Sequence, residues 1–267
     1  MNLKTACKTA MIATIISFIL IVLGQIFSLL TIFFQDAESH NGWSVTPATS
    51  NMSLFLMRLI PSFEYLLFPA LLTAGFITLL STYLEWLKNP EANTKKRYTI
   101  AAVLIGLVAL LMAWRTVGFT WITLRQAPYL SFQYGLSLAW HLTETLSAIT
   151  LCIFAAVSIK RTPRRTPALL ATIFYCLLAA LTIAGAGNTL HRLLTSDTLQ
   201  HLGTTRMILW FASLVCGRCG IFLRLAAVLI FLTTWLKQNP PMQAGVIESS
   251  PDPLPNLSAQ SPLPKHE

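Results

Sequence analysis

The stretch MIATIISFILIVLGQIFSLLTIFF, residues 11–34, decides the class of fold. It carries no charged residue, and as a helix it is long enough to cross the roughly 30 Å hydrocarbon core of a bilayer. A short basic segment with Lys4 and Lys8 precedes it, as in a secretory signal peptide. The run is too long for a signal-peptide core, and no small-residue cleavage site closes it convincingly. We therefore interpret it as a first membrane-spanning helix that is kept in the mature protein.

Five further apolar stretches of similar length follow. Backbone N–H and C=O groups find no partner in hydrocarbon, and the stretches lack the alternation of barrel strands, so helices are expected. The sequence predicts an all-α integral membrane protein with six transmembrane helices in one domain, residues 1–236. The predicted spans are about 9–34, 63–86, 99–124, 132–159, 167–187 and 207–236.

Composition supports lipid as the main solvent. Apolar residues make up 54% of the chain and charged residues 11%, whereas a soluble domain has roughly 25% charged residues. The net charge of +9 does not indicate a nucleic-acid partner. The charges cluster at the ends of apolar runs and form no basic stripe with interleaved aromatic residues.

Lysine and arginine indicate the orientation, because cytoplasmic loops are enriched in them. Both termini are predicted to be cytoplasmic, in a bacterial inner membrane or a plasma membrane. The predicted external side holds Arg58, Arg125, Arg192 and Arg206. The predicted cytoplasmic side holds Lys4, Lys8, Lys88, Lys95, Lys96, Arg97, Lys160, Arg161, Arg164, Arg165, Lys237 and Lys265.

Residues 237–267 form a polar tail rich in proline. Proline lacks the N–H that a helix needs, and the segment has too few apolar residues for a core. We expect a disordered cytoplasmic tail with some polyproline II character. A docking site for a proline-recognising partner is the alternative.

The even-numbered helices share sequence features at both ends. Helices 2 and 4 open with similar tetrapeptides, SFEY from residue 62 and SFQY from residue 131, and each even helix exits through a basic residue toward a proline. These similarities are compatible with three parallel helix hairpins that arose by duplication. The ends of transmembrane helices generally favour Trp, Lys and Pro, so independent convergence of the helix ends explains the same pattern.

Five ionisable residues fall at membrane depth: Arg115, His141, Glu144, Arg218 and Arg224. A charge at the bilayer centre costs about 2.5–3.5 kcal/mol on insertion scales, so such residues are expected to face protein or water. Glu144 is predicted to pair with Arg115 of the adjacent third helix, since a short loop joins the two helices. Arg218 is predicted to point toward a different neighbour or outward.

The sixth helix carries a face of small residues. Ser213, Gly217, Gly220 and Arg224 follow i, i+4, i+7, i+11 spacing, which places them on one side of the helix. Small side chains let helix backbones approach closely in a membrane, so this face is predicted to pack against another helix. Gln25 and Asn188 are further polar residues predicted to be buried.

Two hypotheses account for the charged residues at depth. In the first, Arg115 and Glu144 form a structural ion pair that fixes the register of the helices. In the second, Arg115, His141, Glu144 and Arg224 line a polar pocket. Glu144 neutralises one of three arginines, and the remaining positive charge suits a lipid phosphate or a carboxylate.

No motif predicts catalysis, a metal or a cofactor. Cys216 and Cys219 form a Cys-x-x-Cys inside a membrane helix, where no second pair completes a zinc site. His141 precedes Glu144 by three residues, the reverse of the Glu-x-x-His order in di-iron bundles, and haem ligation would require a second histidine at depth.

The sequence therefore predicts a multi-pass membrane protein without catalytic chemistry. The expected role is lipid binding, partner binding or a structural subunit. Membrane lipids are the expected contacts, and a protein partner or a second copy of the chain is the further candidate. A transporter or channel-like protein for a small anionic solute is the alternative. An intramembrane enzyme fits less well, since no nucleophile is visibly paired with a base.

Overall fold

The computed structural model describes residues 1–39, 48–90, 93–125, 132–159, 165–195 and 204–239. It is all-helical over these ranges. The helices are α1 Leu3–Ser39, α2 Ala48–Lys88, α3 Lys95–Arg125, α4 Phe132–Ser158, α5 Arg165–Thr195 and α6 Thr204–Gln238. The tail that was predicted to be disordered, residues 237–267, lies outside the described residues from residue 240 onward.

All six helices contain a span long and apolar enough to cross a membrane, which confirms the predicted fold class. These spans are Leu3–Thr31, Leu66–Lys88, Lys95–Trp121, Tyr134–Ser158, Arg165–His191 and Met207–Gln238. Several helices extend beyond the predicted limits. The largest difference is at α2, which starts at Ala48 although residues 48–62 were predicted to lie in a loop. Hydropathy marks only the apolar part of a helix, because the backbone hydrogen bonds continue into polar sequence.

The six helices form a closed ring in chain order. Within the described part of the chain, the substantial interfaces join consecutive helices and, in addition, α1 and α6. The most extensive interface is the one between α1 and α6, the first and last helices. The predicted hairpins pair α1 with α2, α3 with α4 and α5 with α6, so the α1–α6 interface belongs to none of them. The three-hairpin repeat therefore stays a prediction.

Small residues bring α1 and α6 together. Ser17 Oγ donates a hydrogen bond of 2.7 Å to the carbonyl of Gly220, and Ser213 Oγ donates one of 2.8 Å to the carbonyl of Gly24. A Cβ built on Gly220 would lie 2.9 Å from the carbonyl oxygen of Ser17. The face predicted from Ser213, Gly217 and Gly220 therefore lies against α1, close enough for side chains to bond backbone across the seam.

The hydrophobic core fills the half of the ring where α1 begins and α6 ends, which we call the terminal end. A cluster of aromatic side chains lies within it. The ring centroid of Phe231 lies 5.9 Å from that of Phe76, 5.4 Å from that of Tyr83 and 6.0 Å from that of Phe154. Tyr83 Oη and Ser158 Oγ are 2.9 Å apart and share a hydrogen bond. These contacts close the centre of the ring at the terminal end.

The inward faces of the helices change from apolar to polar along the helix axes, from the terminal end to the opposite end of the ring. On α6, Val228 and Leu225 of the core continue at helical spacing into Ile221 and Arg218. On α5, Tyr175 and Leu178 likewise continue through Thr182 into Gly185 and Thr189 at spacings of three or four residues. On α4, Ser137 and His141 lie above Ala148 and Leu151. The same helix faces are thus apolar toward the terminal end and polar toward the opposite end, where they shape a cleft.

Candidate functional site

A cleft of about 380 Å³ lies between α3, α4, α5 and α6 in the half of the ring opposite the terminal end. Such a volume is typical of sites for small organic ligands. Its walls combine two arginines, a histidine and several hydrogen-bonding side chains with apolar surface. The residues that line it are Arg115, Leu136, Ser137, Trp140, His141, Leu181, Gly185, Asn188, Thr189, Arg218 and Ile221.

Arg115 and Arg218 reach the cleft from two different helices at the same depth. Arg115 lies 20 residues after the start of α3 at Lys95, and Arg218 lies 20 residues before the end of α6 at Gln238. Both side chains are half-buried. Among the described residues that line the cleft, none is acidic. The cleft therefore presents two guanidinium groups within the membrane span.

His141 lies in the wall between aromatic rings. Its ring centroid is 4.9 Å from that of Phe119 and 5.1 Å from that of Trp140, and its exposed fraction is 8%. The Trp140 indole N–H donates to Thr182 Oγ1 over 3.2 Å, which joins α4 to α5. These contacts hold the imidazole at the wall of the cleft.

Hydroxyl groups join α3 to α4 beside the cleft. Thr145 Oγ1 donates to the carbonyl of His141 over 2.9 Å, and Thr116 Oγ1 lies 2.9 Å from Thr145 Oγ1. All three residues are buried. The bonds restrain the backbone that carries His141, so this wall is preorganised.

Below the cleft, toward the terminal end, Glu144 and Arg224 form a buried ion pair. Glu144 Oε1 is 3.8 Å from Arg224 Nη2, and the two side chains are 12% and 8% exposed. Glu144 lies 14 residues before the end of α4 at Ser158, and Arg224 lies 14 residues before the end of α6 at Gln238. Measured along α6, this is six residues below Arg218, or roughly 9 Å. The pair thus forms a layer between the cleft and the core.

The structure divides the predicted pocket residues between these two layers. Arg115 and His141 line the cleft, whereas Glu144 and Arg224 form the ion pair beneath it. Arg115 acts electrostatically on Glu144 and on His141. The ion-pair contact of Glu144 with Arg224 was not predicted.

Two residues of the cleft, Arg218 and Asn188, were not predicted to line it. Arg218 was expected to serve another neighbour or to point outward, yet it lines the cleft and its Nη1 lies 3.9 Å from where a Cβ on Gly185 would be. Asn188 was noted only as a buried polar candidate, and it lines the same cleft. Both residues lie at helical spacing from core positions on α5 and α6, and this spacing is the signal that identifies them. Using it requires knowledge of which face of each helix points inward, and the sequence does not supply that.

The chemistry available in the cleft is recognition of negative charge. Arginine offers a planar fork of donors to carboxylates and phosphates, and Ser137, Thr189 and Asn188 add neutral donors. In the part of the chain that the structure describes, no group of three or more His, Cys, Asp and Glu residues is arranged to hold a metal ion.

Comparison with protein-family models, with curated proteins and with solved structures gave no match to this chain, so the geometry of the cleft carries the assignment that follows.

Proposed function

We propose that this multi-pass membrane protein binds the anionic group of a lipid or small organic solute in the cleft between α3, α4, α5 and α6, without catalysing a reaction. The observation that carries the proposal is the convergence of Arg115 and Arg218 on one cleft whose described lining contains no carboxylate. Guanidinium groups at membrane depth are costly unless they serve an interaction. An anion in the cleft would give Arg218 such an interaction and would add one to those that Arg115 makes within the chain.

The lining indicates an anion with an organic body. Leu136, Leu181 and Ile221 provide apolar surface, and the volume of about 380 Å³ exceeds what a bare inorganic ion needs. A lipid phosphate and a small carboxylate share the anionic chemistry that the arginines recognise. The distribution of lysine and arginine supports a cleft that opens toward the predicted external side.

Replacing Arg218 by leucine is expected to weaken anion binding by about tenfold or more, because one of the two guanidinium groups is lost. Purified protein in phosphatidylcholine nanodiscs would be titrated with sulfate and with lactate. A parallel set of nanodiscs containing phosphatidylglycerol would test the lipid. If only the soluble anions bind, the cleft is a solute site. If the unaltered protein binds phosphatidylglycerol and the Arg218→Leu variant loses that binding, the cleft is a lipid site.

The matched control is Arg97→Leu, which removes an exposed arginine outside the cleft. This change should leave the affinity for each probe within about twofold of the unaltered protein, since Arg97 pairs with Glu85 at the terminal end. Equal weakening by both substitutions, or no binding of any of the three probes, would contradict the proposal.

Transport of a small anion is the second candidate, favoured by the position of the cleft on the inward faces of the ring. A vestibule that ends at Glu144 and Arg224 and at the aromatic core resembles one half of a transport path. Transport requires that the core at the terminal end opens. Proteoliposomes loaded with radiolabelled sulfate or lactate would release it faster than protein-free vesicles if the protein transports these anions, and at the same rate if it only binds them.

A further inference from the structure

Among the described residues, Glu144 supplies the one carboxylate near the two arginines of the cleft. It lies in the layer beneath the cleft. Glu144 Oε1 and Arg224 Nη2 are 3.8 Å apart, which is beyond the 2.7–3.2 Å of an N–H···O hydrogen bond. The contact between these two atoms is therefore one of charge, without a direct hydrogen bond to hold it. A change in the charge of Glu144 therefore alters this contact without breaking a hydrogen bond between the two atoms.

Charged and titratable groups face Glu144 from each neighbouring helix of the cleft. Arg224 of α6 is its ion-pair partner, and Arg115 of α3 acts on it electrostatically. Tyr175 of α5 is buried and interacts electrostatically with both members of the pair. His141 lies one turn away on α4 itself. Glu144 is thus surrounded mainly by positive charge that it shares with the cleft.

An anion in the cleft competes with Glu144 for this positive charge. The ionised carboxylate lies roughly 9 Å below the arginines of the cleft, and two negative charges at that distance repel each other strongly when little water separates them. Protonation of Glu144 removes the repulsion and releases the charge of Arg224 toward the ligand. Linkage is reciprocal, so the bound anion also favours the protonated carboxyl group.

We propose that anion binding in the cleft is coupled to the uptake of a proton by Glu144. This inference rests on the proposed function and names the regulation of the same site. One proton from solution adds to a carboxylate oxygen of Glu144, so that the bound anion no longer faces the negative charge of that carboxylate and is attracted by the charge of Arg224 beneath the cleft. The binding constant then rises as pH falls, with a limiting slope of about tenfold per pH unit for one proton.

The experiment measures proton uptake directly on the unaltered protein. Sulfate and phosphatidylglycerol are suitable probes, because neither changes its own charge near neutral pH. Protein in weakly buffered phosphatidylcholine nanodiscs with a pH indicator would receive one probe at a time. About one proton taken up per anion bound is expected, and no proton uptake on binding would overturn the proposal.

Substitutions assign the proton to a residue. Glu144→Gln should bind the probes with an affinity that no longer depends on pH, whereas His141→Gln should retain the pH dependence. Glu85→Gln is the matched control, since it removes an exposed glutamate that is also paired with an arginine, and its pH dependence should equal that of the unaltered protein. Proton uptake that disappears in His141→Gln and persists in Glu144→Gln would overturn the assignment.

The outcomes separate this inference from the proposed function. Binding that Arg218→Leu weakens, but that is independent of pH in the unaltered protein, leaves the anion site intact and refutes the coupling. Absence of binding at every pH refutes both. If Glu144→Gln fails to fold, proton uptake by the unaltered protein and by His141→Gln still decides the question.

Discussion

Replacing Arg224 by leucine is expected to lower the free energy of unfolding by about 3–5 kcal/mol, which is the cost of breaking a buried ion pair by removing one partner. The substitution leaves Glu144, only 12% exposed, without the contact it makes at 3.8 Å. An uncompensated charge in a dry layer of the ring is the source of the cost. Thermal unfolding of the purified protein in detergent, followed by circular dichroism, measures the effect.

A double variant provides the decisive comparison. Changing Glu144 to Gln and Arg224 to Leu together removes both charges, so the double variant should be more stable than Arg224→Leu alone. The exposed pair of Glu85 and Arg97 is the control, because a pair in contact with water contributes about 0–1 kcal/mol. A double variant as unstable as the sum of its single changes would show that the two side chains do not interact.

Replacing Gly220 by alanine is expected to destabilise the ring by about 1–3 kcal/mol, as overpacking of a well-packed contact does. The added Cβ would lie 2.7 Å from Ile21 Cγ1, 2.9 Å from the carbonyl oxygen of Ser17 and 3.1 Å from the Ile21 nitrogen. Two of these neighbours are backbone atoms, which do not yield as the end of a side chain does. Helix α1 would have to move away from α6, and the hydrogen bond from Ser17 to Gly220 would lengthen.

Gly217→Ala is the matched control on the same helix. A Cβ at Gly217 meets nothing within 4 Å, so alanine adds no clash and improves the helix propensity by up to about 1 kcal/mol. The unfolding temperature of Gly217→Ala should equal or exceed that of the unaltered protein, while that of Gly220→Ala should fall. Equal effects of the two substitutions would show that the close approach of α1 and α6 is not what makes Gly220 sensitive.

The two predictions separate the closure of the ring from the site inside it. Gly220 lies where the first and last helices meet, whereas Arg224 lies one turn further along α6 and reaches Glu144 of α4. Helix α6 therefore closes the ring through Gly220 and also supplies Arg218 and Arg224 to the polar layers. Substitutions of Gly220 and of Arg224 therefore test different parts of the same architecture.

The number and type of the helices followed from the sequence for a simple physical reason. In lipid, a backbone segment must satisfy its own hydrogen bonds, so a long run without charge, such as residues 11–34, has one available form. The periodicity of Ser213, Gly217 and Gly220 also identified a face for close packing, because helical spacing is a property of the chain alone. It did not identify α1 as the neighbour.

The positions of the charged residues relative to one another were harder to predict. Depth was estimated from the ends of the apolar runs, and the end of α3 differs by four residues between the prediction and the structure, which begins this helix at Lys95. Four residues correspond to about one turn, or roughly 6 Å of depth. This difference sets Arg115 level with Arg218, whereas the ends of α4 at Ser158 and of α6 at Gln238 set Glu144 level with Arg224.

Sequence by itself thus determined that this chain forms six apolar helices with a few costly charges among them, because hydropathy and helical spacing are local properties. Tertiary structure alone decided that α1 closes the ring onto α6, that Glu144 contacts Arg224 and that Arg218 faces the cleft. Each of these depends on which helices are neighbours and at what height they cross, and no local pattern encodes that relation.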